Sequence, residues 1–120
     1  MVDRQQLGRW GEEVAVRHLE AGGYEVLDRN WRCRYGEIDI VARQRDLLCF
    51  VEVKTRSSLA FGEPAEAVRG AKLQRQPRLA GLWLRERRPR DWHELRYDVI
   101  AVLRCPGAEP EITHLEGALS

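Results

Sequence analysis

The chain has 120 residues, of which 20 are basic and 19 acidic, so its formal charge is +1 at pH 7. This balance excludes a strong overall basic field, and any contact with a polyanion must come from local clusters of charge. The length fits one compact domain with a real core. We therefore predict a single domain over residues 1–120, with the last few residues loose.

The cysteines are odd in number and lack the spacing of metal ligands, which indicates reduced thiols: Cys33, Cys49 and Cys105. The start of the chain does not resemble a signal peptide, and no apolar run is long enough to cross a bilayer. These features predict a cytoplasmic protein without a membrane partner.

The first twenty residues have the pattern of a helix, with Asp3 as its cap and Ala21-Gly22-Gly23 as its end. Gly8 and Gly11 lie inside this helix and lower its stability by about 1 kcal/mol each relative to alanine. Such glycines often permit a close approach by another element.

A basic and aromatic turn, Arg32 to Gly36, follows a first strand predicted from Tyr24 to Trp31. Arginine binds phosphate groups and tyrosine stacks on bases, so Arg32, Arg34 and Tyr35 are candidate nucleic-acid contacts. A solvated loop is an equally good interpretation, because the whole chain is rich in arginine.

Two runs of β-branched and apolar residues, Gly36 to Ala42 and Leu47 to Lys54, predict a β-hairpin around a short polar connection. Side chains alternate between the faces of a strand, so the register decides which residues share a face. An entirely apolar face results only if the numbers of opposed residues add to an odd total. That face carries Ile38, Ile40, Ala42, Leu47, Cys49, Val51 and Val53.

The same register collects polar residues on the opposite face: Glu37, Asp39, Glu52 and Lys54. Towards the turn, that face continues with Val41, Leu48 and Phe50. Asp39 then lies opposite Glu52 or one pair away, with Cβ atoms roughly 5 to 8 Å apart. Two carboxylates so close need a compensating cation, which is either Lys54 alone or a metal ion as well.

Beyond the hairpin, a helical pattern begins at Pro64, and Pro77 either kinks this helix or starts a second one. Lys72 in this segment either points toward the polar face or is an exposed helix lysine. Only Lys54 and Lys72 are lysines among the 20 basic residues, and a compact ammonium differs in function from a planar guanidinium.

The helix ends in an arginine cluster from Arg85 to Arg90, which is either a solvated cap or a phosphate contact. Glu94 to Leu103 predicts a buried strand that the preceding helix allows to pair in parallel. Within it, Asp98 is either at a solvated edge or paired. Glu111 to Leu115 predicts an edge strand, and His114 is interpreted as a surface histidine.

Asp39, twelve intervening residues and then Glu52-Val53-Lys54 resemble the PD-(D/E)xK nuclease signature, with Ile38 where that motif has proline. Asp39, Glu52 and the backbone carbonyl of Val53 offer hard oxygen ligands that suit Mg²⁺ or Mn²⁺. A metal ion there would activate water and offset charge on a phosphodiester, while Lys54 orients the water or stabilises the transition state.

Further motifs in the same order resemble the YraN-like uncharacterised family of small bacterial proteins. They are Gly8-x-x-Gly11-Glu12-x-x-Ala15, Gly36-Glu37-Ile38-Asp39-Ile40, Phe50-Val51-Glu52-Val53-Lys54-Thr55-Arg56, Phe61-Gly62, Lys72 and Arg96-Tyr97-Asp98-Val99-Ile100. The resemblance implies an α/β, restriction-endonuclease-like αβββαβ core, with a mixed sheet flanked by helices. It also implies a relation to archaeal Holliday-junction resolvases, which leaves a homodimer open.

For the site, the resemblance implies catalytic residues Asp39, Glu52 and Lys54, with Glu12 as a further acidic contributor to the metal site. Glu37 and Lys72 are expected to support these residues. Arg56 joins the candidate nucleic-acid contacts Arg32, Arg34 and Tyr35.

Two functions from different classes follow. The first is a Mg²⁺- or Mn²⁺-dependent nuclease acting on DNA, including branched or damaged DNA. The alternative is a catalytically inactive nucleic-acid-binding or adaptor protein that uses the turn at Arg32 and Arg34 and the cluster from Arg85 to Arg90. In a third interpretation, Glu52 and Lys54 are merely a surface ion pair.

Overall fold

A computed structural model describes residues 3–57 and 75–118. Its elements are α1 (Arg4–Ala21), β1 (Glu25–Cys33), β2 (Gly36–Gln44), β3 (Leu47–Arg56), α2 (Gln76–Arg87), β4 (Glu94–Leu103) and β5 (Glu111–Leu115). The strands form one mixed sheet in the order β1-β2-β3-β4-β5, in which only β3 and β4 are parallel among the described neighbours. The predicted αβββαβ core of the restriction-endonuclease-like fold is confirmed, with β5 added at its edge.

Some sequence predictions concern residues outside the described ranges. These are the helix start at Pro64, the Phe61-Gly62 motif and Lys72. Pro77, which was predicted to kink a helix or to start a second one, lies within the described residues. It is in the first turn of α2, which begins at Gln76. Proline fits there because the first backbone N–H groups of a helix have no partner within the helix.

The hairpin register is the predicted one. Ile40 lies opposite Val51 and Ala42 opposite Cys49, so the numbers of each pair add to an odd total. All four residues are fully buried and pack against α1, which contributes Ala15, Val16 and Leu19 to this core. Burial of a large aliphatic side chain stabilises the fold by about 1.5–3 kcal/mol. The apolar pattern of β2 and β3 therefore decides which face α1 covers.

The opposite face is covered by α2. Val41, Leu48 and Phe50 pack against three α2 residues, Leu79, Ala80 and Trp83. The rings of Phe50 and Trp83 meet edge to face with centroids 5.7 Å apart. The part of this face nearest the turn is therefore core, as the register predicted.

Ile38 lies on this second face, so its predicted position beside Ile40 was wrong. It is 1% exposed and packs in the α2 core. The described pairing of β2 with β3 ends at Ile40. In neighbouring β1, Asn30 has a left-handed backbone with φ 51°. Side chains of consecutive residues Arg29 and Asn30 both reach α1, so the strands do not keep period-two alternation here.

Asp98 on β4 is fully buried and paired, which resolves the two alternatives for this residue. Arg96 donates two hydrogen bonds to its carboxylate, each of 2.9 Å, and the backbone N–H of Gly117 donates a third of 3.0 Å. Burial opposes ionisation, but bonds from His114 and Arg96 outweigh it and hold the pKa of Asp98 below its ordinary range.

His114 is a largely buried partner of Asp98, so its interpretation as a surface histidine was wrong. Its side chain is 13% exposed, and its Nε2 lies 2.7 Å from Asp98 Oδ2. Its Nδ1 lies 3.1 Å from Nε2 of His18 on α1. Burial, with the charge of His114, lowers the pKa of His18. This chain of polar groups connects β4, β5 and α1.

Gly11 allows α1 to approach β3 closely, whereas Gly8 has no such role. A Cβ at Gly11 would overlap the side chain of Thr55, but a Cβ at Gly8 would meet nothing within 4 Å. We therefore expect Gly11→Ala to lower the free energy of unfolding by about 1–3 kcal/mol through overpacking. Gly8→Ala should raise it by about 0.5–1 kcal/mol because alanine favours the helix. Urea denaturation measures both; equal effects of the two changes would contradict this packing.

No described helix has the length and apolar composition needed to cross a bilayer.

Candidate metal and catalytic site

The predicted site lies where the described pairing of β2 with β3 ends, next to Ile40 and Val51. Just beyond that point, the backbone N–H of Val53 donates a 2.8 Å hydrogen bond to Oδ2 of Asp39. A side-chain carboxylate therefore takes the place of a main-chain acceptor. This bond holds Asp39 beside the segment that carries Glu52 and Lys54.

Asp39, Glu52 and Lys54 line one cavity of about 680 Å³, together with Glu37 and the first turn of α2. A second cavity of about 710 Å³ is lined by α1 residues, among them Glu12. Asp39, Val53 and Lys54 line both cavities. Side chains predicted from the hairpin thus converge with an acid from α1 at one place.

Glu52 has one oxygen in an ion pair and one without a partner. Its Oε1 lies 3.7 Å from Nζ of Lys54. Its Oε2 is buried and has no hydrogen-bond donor among the described residues. An unsatisfied buried polar group costs about 1–3 kcal/mol, and more if it is charged. The oxygen therefore fits a cation or a donor that enters the cavity.

Asp39 is largely buried among other acids. Burial raises its pKa from 3.8 to about 7; the Val53 hydrogen bond opposes this, and the charges of Glu37, Glu12 and Glu52 add to it. Burial also raises the pKa of Glu12, against a 2.6 Å hydrogen bond from Asn30. A divalent cation would offset these like charges.

The described part of the chain holds no ready-made cluster of three His, Cys, Asp or Glu side chains for a metal ion. The predicted ligand set needs only two carboxylates, Asp39 and Glu52, with the carbonyl of Val53 as the third oxygen. Hard oxygen donors of this kind fit Mg²⁺, which keeps several water ligands. The donor chemistry therefore fits the predicted ion.

We expect the metal-free protein to lose stability as the pH rises from about 4 to about 7. In that range native Asp39 keeps a proton that the unfolded chain has lost, because its pKa is raised to about 7. One pKa unit corresponds to about 1.4 kcal/mol, so the loss is on the order of a few kcal/mol. Asp39→Asn should remove this pH dependence and stabilise the protein at pH 8. Urea denaturation in EDTA at several pH values measures it, and identical profiles for both proteins would contradict it.

Comparison with known proteins assigns the family. Residues 11–102 match the model of the uncharacterised protein family UPF0102. The chain belongs to the UPF0102 family. A UPF0102 protein of Nocardia farcinica is 54% identical over 114 residues, covering 95% of this chain and 89% of the relative. A UPF0102 protein of Beutenbergia cavernae is 54% identical over 116 residues, covering 95% of this chain and 96% of the relative. A UPF0102 protein of Rhodococcus opacus is 48% identical over 118 residues, covering 98% of this chain and 99% of the relative. The resemblance to the YraN-like family is thereby confirmed.

Two of the four candidate nucleic-acid contacts of this UPF0102 protein line the cavities, and the other two lie in the adjacent turn. Arg32 lines the cavity on the α2 side and forms a 3.0 Å ion pair with Glu37. Arg34 and Tyr35 form the turn between β1 and β2. Arg56 lines the cavity on the α1 side.

The fold adds residues that the sequence patterns did not indicate. Gln76 of α2 and Arg75, which precedes this helix, line the cavity of Glu52, and Arg4 of α1 lines the other. Gln76 is 4% exposed, and its Oε1 is the second buried side-chain atom without a partner among the described residues. No local pattern identifies it, because its role depends on where α2 begins relative to β3.

The arginine cluster from Arg85 to Arg90 is far from this site. It starts in the last turn of α2, whereas the first turn lines the cavity. Twelve helical residues span about 18 Å. Arg87 is moreover bound to Asp28 in a 3.0 Å ion pair. Part of the cluster therefore holds α2 against β1.

Proposed function

We propose that this UPF0102 protein is a metal-dependent nuclease that hydrolyses phosphodiester bonds of DNA with Mg²⁺ or Mn²⁺. The observation that carries the proposal is the buried, unpartnered Oε2 of Glu52 in a cavity that Asp39 and Lys54 also line. A surface ion pair would not leave a carboxylate oxygen buried without a donor. A cation in the cavity would satisfy it.

The side chains divide into ligands and a charge-stabilising group. Asp39, Glu52 and the Val53 carbonyl would hold the cation, which when bound supplies Lewis acidity and an activated water. The Val53 N–H keeps Asp39 oriented through their 2.8 Å bond. Lys54, with a side chain 24% exposed, is held near the same point by Glu52 and would stabilise negative charge on the phosphate.

The acids around these residues would tune the site. Glu12 reaches it from α1 and is held by Asn30, while Glu37 lines the cavity and pairs with Arg32. Both charges make Asp39 harder to ionise without a cation. We assign Glu12 to the metal site as a further acidic contributor and Glu37 to support.

The DNA would be held by arginines on both sides of these acids. Arg32, Arg34 and Tyr35 lie on the α2 side and Arg56 on the α1 side. Such contacts release counterions from DNA, so binding should weaken steeply as salt increases.

We further assign the protein to the cytoplasm, which keeps thiols reduced, because none of its three cysteines forms a disulfide.

Incubation of the purified protein with DNA tests the proposal. Supercoiled duplex, circular single strand and a four-way junction are each treated with Mg²⁺, Mn²⁺ or EDTA, and products are separated on gels. We expect cleavage of at least one form with metal and none with EDTA. Intact DNA in every metal-containing reaction would overturn the nuclease proposal. Salt-dependent DNA binding without cleavage would instead favour the adaptor alternative.

A further inference from the structure

Tyr35 presents an exposed aromatic ring at the tip of the β1–β2 turn. The residue is 41% exposed, the most exposed of the large hydrophobic residues in the described chain. The guanidinium carbon of Arg78 on α2 lies 3.7 Å from the ring centroid, and that of Arg34 lies 5.4 Å away. Cation–π contacts of this kind hold the ring in place. The turn therefore carries a pre-oriented stacking surface.

A small cavity lies beside this ring. It has a volume of about 290 Å³ and is lined by Tyr35, Arg75, Arg78 and Leu79. Arg75 and Leu79 also line the larger cavity that contains Asp39, Glu52 and Lys54. A group bound at Tyr35 would therefore be a close neighbour of a group bound at the acids.

The charge around Tyr35 favours a phosphate. Within the described residues, Arg34, Arg75 and Arg78 have no carboxylate within 4.0 Å, whereas nearby Arg32 is paired with Glu37. The first turn of α2 also contains no acidic residue, and no side chain caps it. Guanidinium groups bind phosphate through paired hydrogen bonds and stack on bases. The aromatic ring fits the base of a nucleotide, and the guanidinium groups fit its phosphate.

We propose that Tyr35, Arg75 and Arg78 form a binding site for one unpaired nucleotide next to the bond that is cut. This inference rests on the proposed function and names its substrate class, which is DNA with a single-stranded segment at the cleavage site. Within an intact duplex, both faces of a base are covered by its neighbours, so no face is free for Tyr35. An unpaired base can stack on the Tyr35–Arg78 surface while its phosphate contacts Arg75.

Binding measurements without cleavage test the site. Fluorescence anisotropy in EDTA compares three DNAs: a duplex, the same duplex with a single-stranded arm, and that duplex with an arm of abasic sugars. The abasic arm keeps its phosphates but has no base to stack. We expect wild type to bind the normal arm about tenfold more tightly than the abasic arm, since one stacked base contributes a factor of this order. Tyr35→Ala should remove that preference, because the ring and the base are coupled.

Three variants control this comparison. Tyr35→Phe keeps the ring and should keep the preference, and Arg78→Ala should reduce it. Arg17→Ala removes an arginine whose side chain is 77% exposed on α1 and should leave it unchanged. Circular dichroism verifies that each variant is folded.

The outcomes separate this inference from the nuclease proposal. Equal binding of normal and abasic arms by wild type, or an unchanged preference in Tyr35→Ala, overturns the nucleotide site even if DNA is cleaved. If the preference depends on Tyr35 but DNA is cut with neither Mg²⁺ nor Mn²⁺, the result supports the nucleotide site and overturns the nuclease proposal.

Discussion

Glu52→Gln is expected to lower the single-turnover rate of metal-dependent DNA cleavage by roughly 10²- to 10³-fold. Glutamine has nearly the same shape as glutamate, so the cavity should be preserved. It lacks the negative charge that attracts the cation and pairs with Lys54 at 3.7 Å. Asp39→Asn and Lys54→Ala should have losses of similar size. Quenched-flow or gel assays at saturating protein measure the chemical step.

Metal binding distinguishes the roles of these three residues. Calorimetry with Mn²⁺ should detect weaker binding to Asp39→Asn and Glu52→Gln, because each loses a charged ligand. Lys54→Ala should still bind Mn²⁺ while failing to cleave, because the ammonium is not a ligand. Equal Mn²⁺ affinity in all three variants and wild type would contradict the ligand assignment.

Glu13→Gln is the matched control for Glu52→Gln. Glu13 lies on α1 next to Glu12, lines neither cavity, and pairs with Arg29 and Arg17 on the surface. The same change of charge should leave the cleavage rate within about twofold, since the Glu13 side chain is 45% exposed and its charge is screened by salt. An equal loss in both variants would mean that Glu52 acts only through the general charge of the protein.

Asp98→Asn is expected to lower the free energy of unfolding by about 3–5 kcal/mol, because it removes the charge of a fully buried carboxylate that pairs with the mostly buried side chains of Arg96 and His114. Arg96 and His114 both bond to this fully buried carboxylate. The pKa of Asp98 is held below its ordinary 3.8, so the wild-type contribution is present at neutral pH and is lost as the pH falls below about 4. This direction is opposite to that for Asp39.

Urea denaturation at pH 7 measures the effect of Asp98→Asn. Asp46→Asn is its control, because this side chain is 57% exposed in the β2–β3 turn and, among residues 3–57 and 75–118, forms an ion pair only with exposed His93 at 3.5 Å. The control should change stability by less than about 0.5 kcal/mol. A change equally small in Asp98→Asn would show that the buried network contributes little.

The hairpin face could be predicted because burial and strand alternation act together. The β-branched residues of β2 and β3 fit only one register, and that register brought Asp39 into the region of Glu52 and Lys54. The face predicted for Ile38 from strand alternation was wrong. Near this residue, Asn30 on the neighbouring strand has a positive φ. A local change of backbone conformation of this kind leaves no trace in a hydrophobic pattern.

Residues positioned by distant parts of the chain could not be predicted. Gln76 reaches the cavity because α2 begins there, and His114 lies beside Asp98 because β5 pairs with β4. The sequence patterns did not single out Gln76 and placed His114 on the surface, since the position of each depends on tertiary contacts. Asp98 was left with two alternatives for the same reason: its partner His114 lies 16 residues further along the chain.

The network around Asp98 has a consequence for biosynthesis. Gly117, which donates to its carboxylate, follows it by 19 residues, and His114 follows by 16. A nascent chain that has just completed β4 on the ribosome therefore lacks two of the groups that make this buried charge tolerable. The sheet can reach its final form only after that C-terminal segment has emerged from the exit tunnel, so native packing of β4 has to wait for the synthesis of β5.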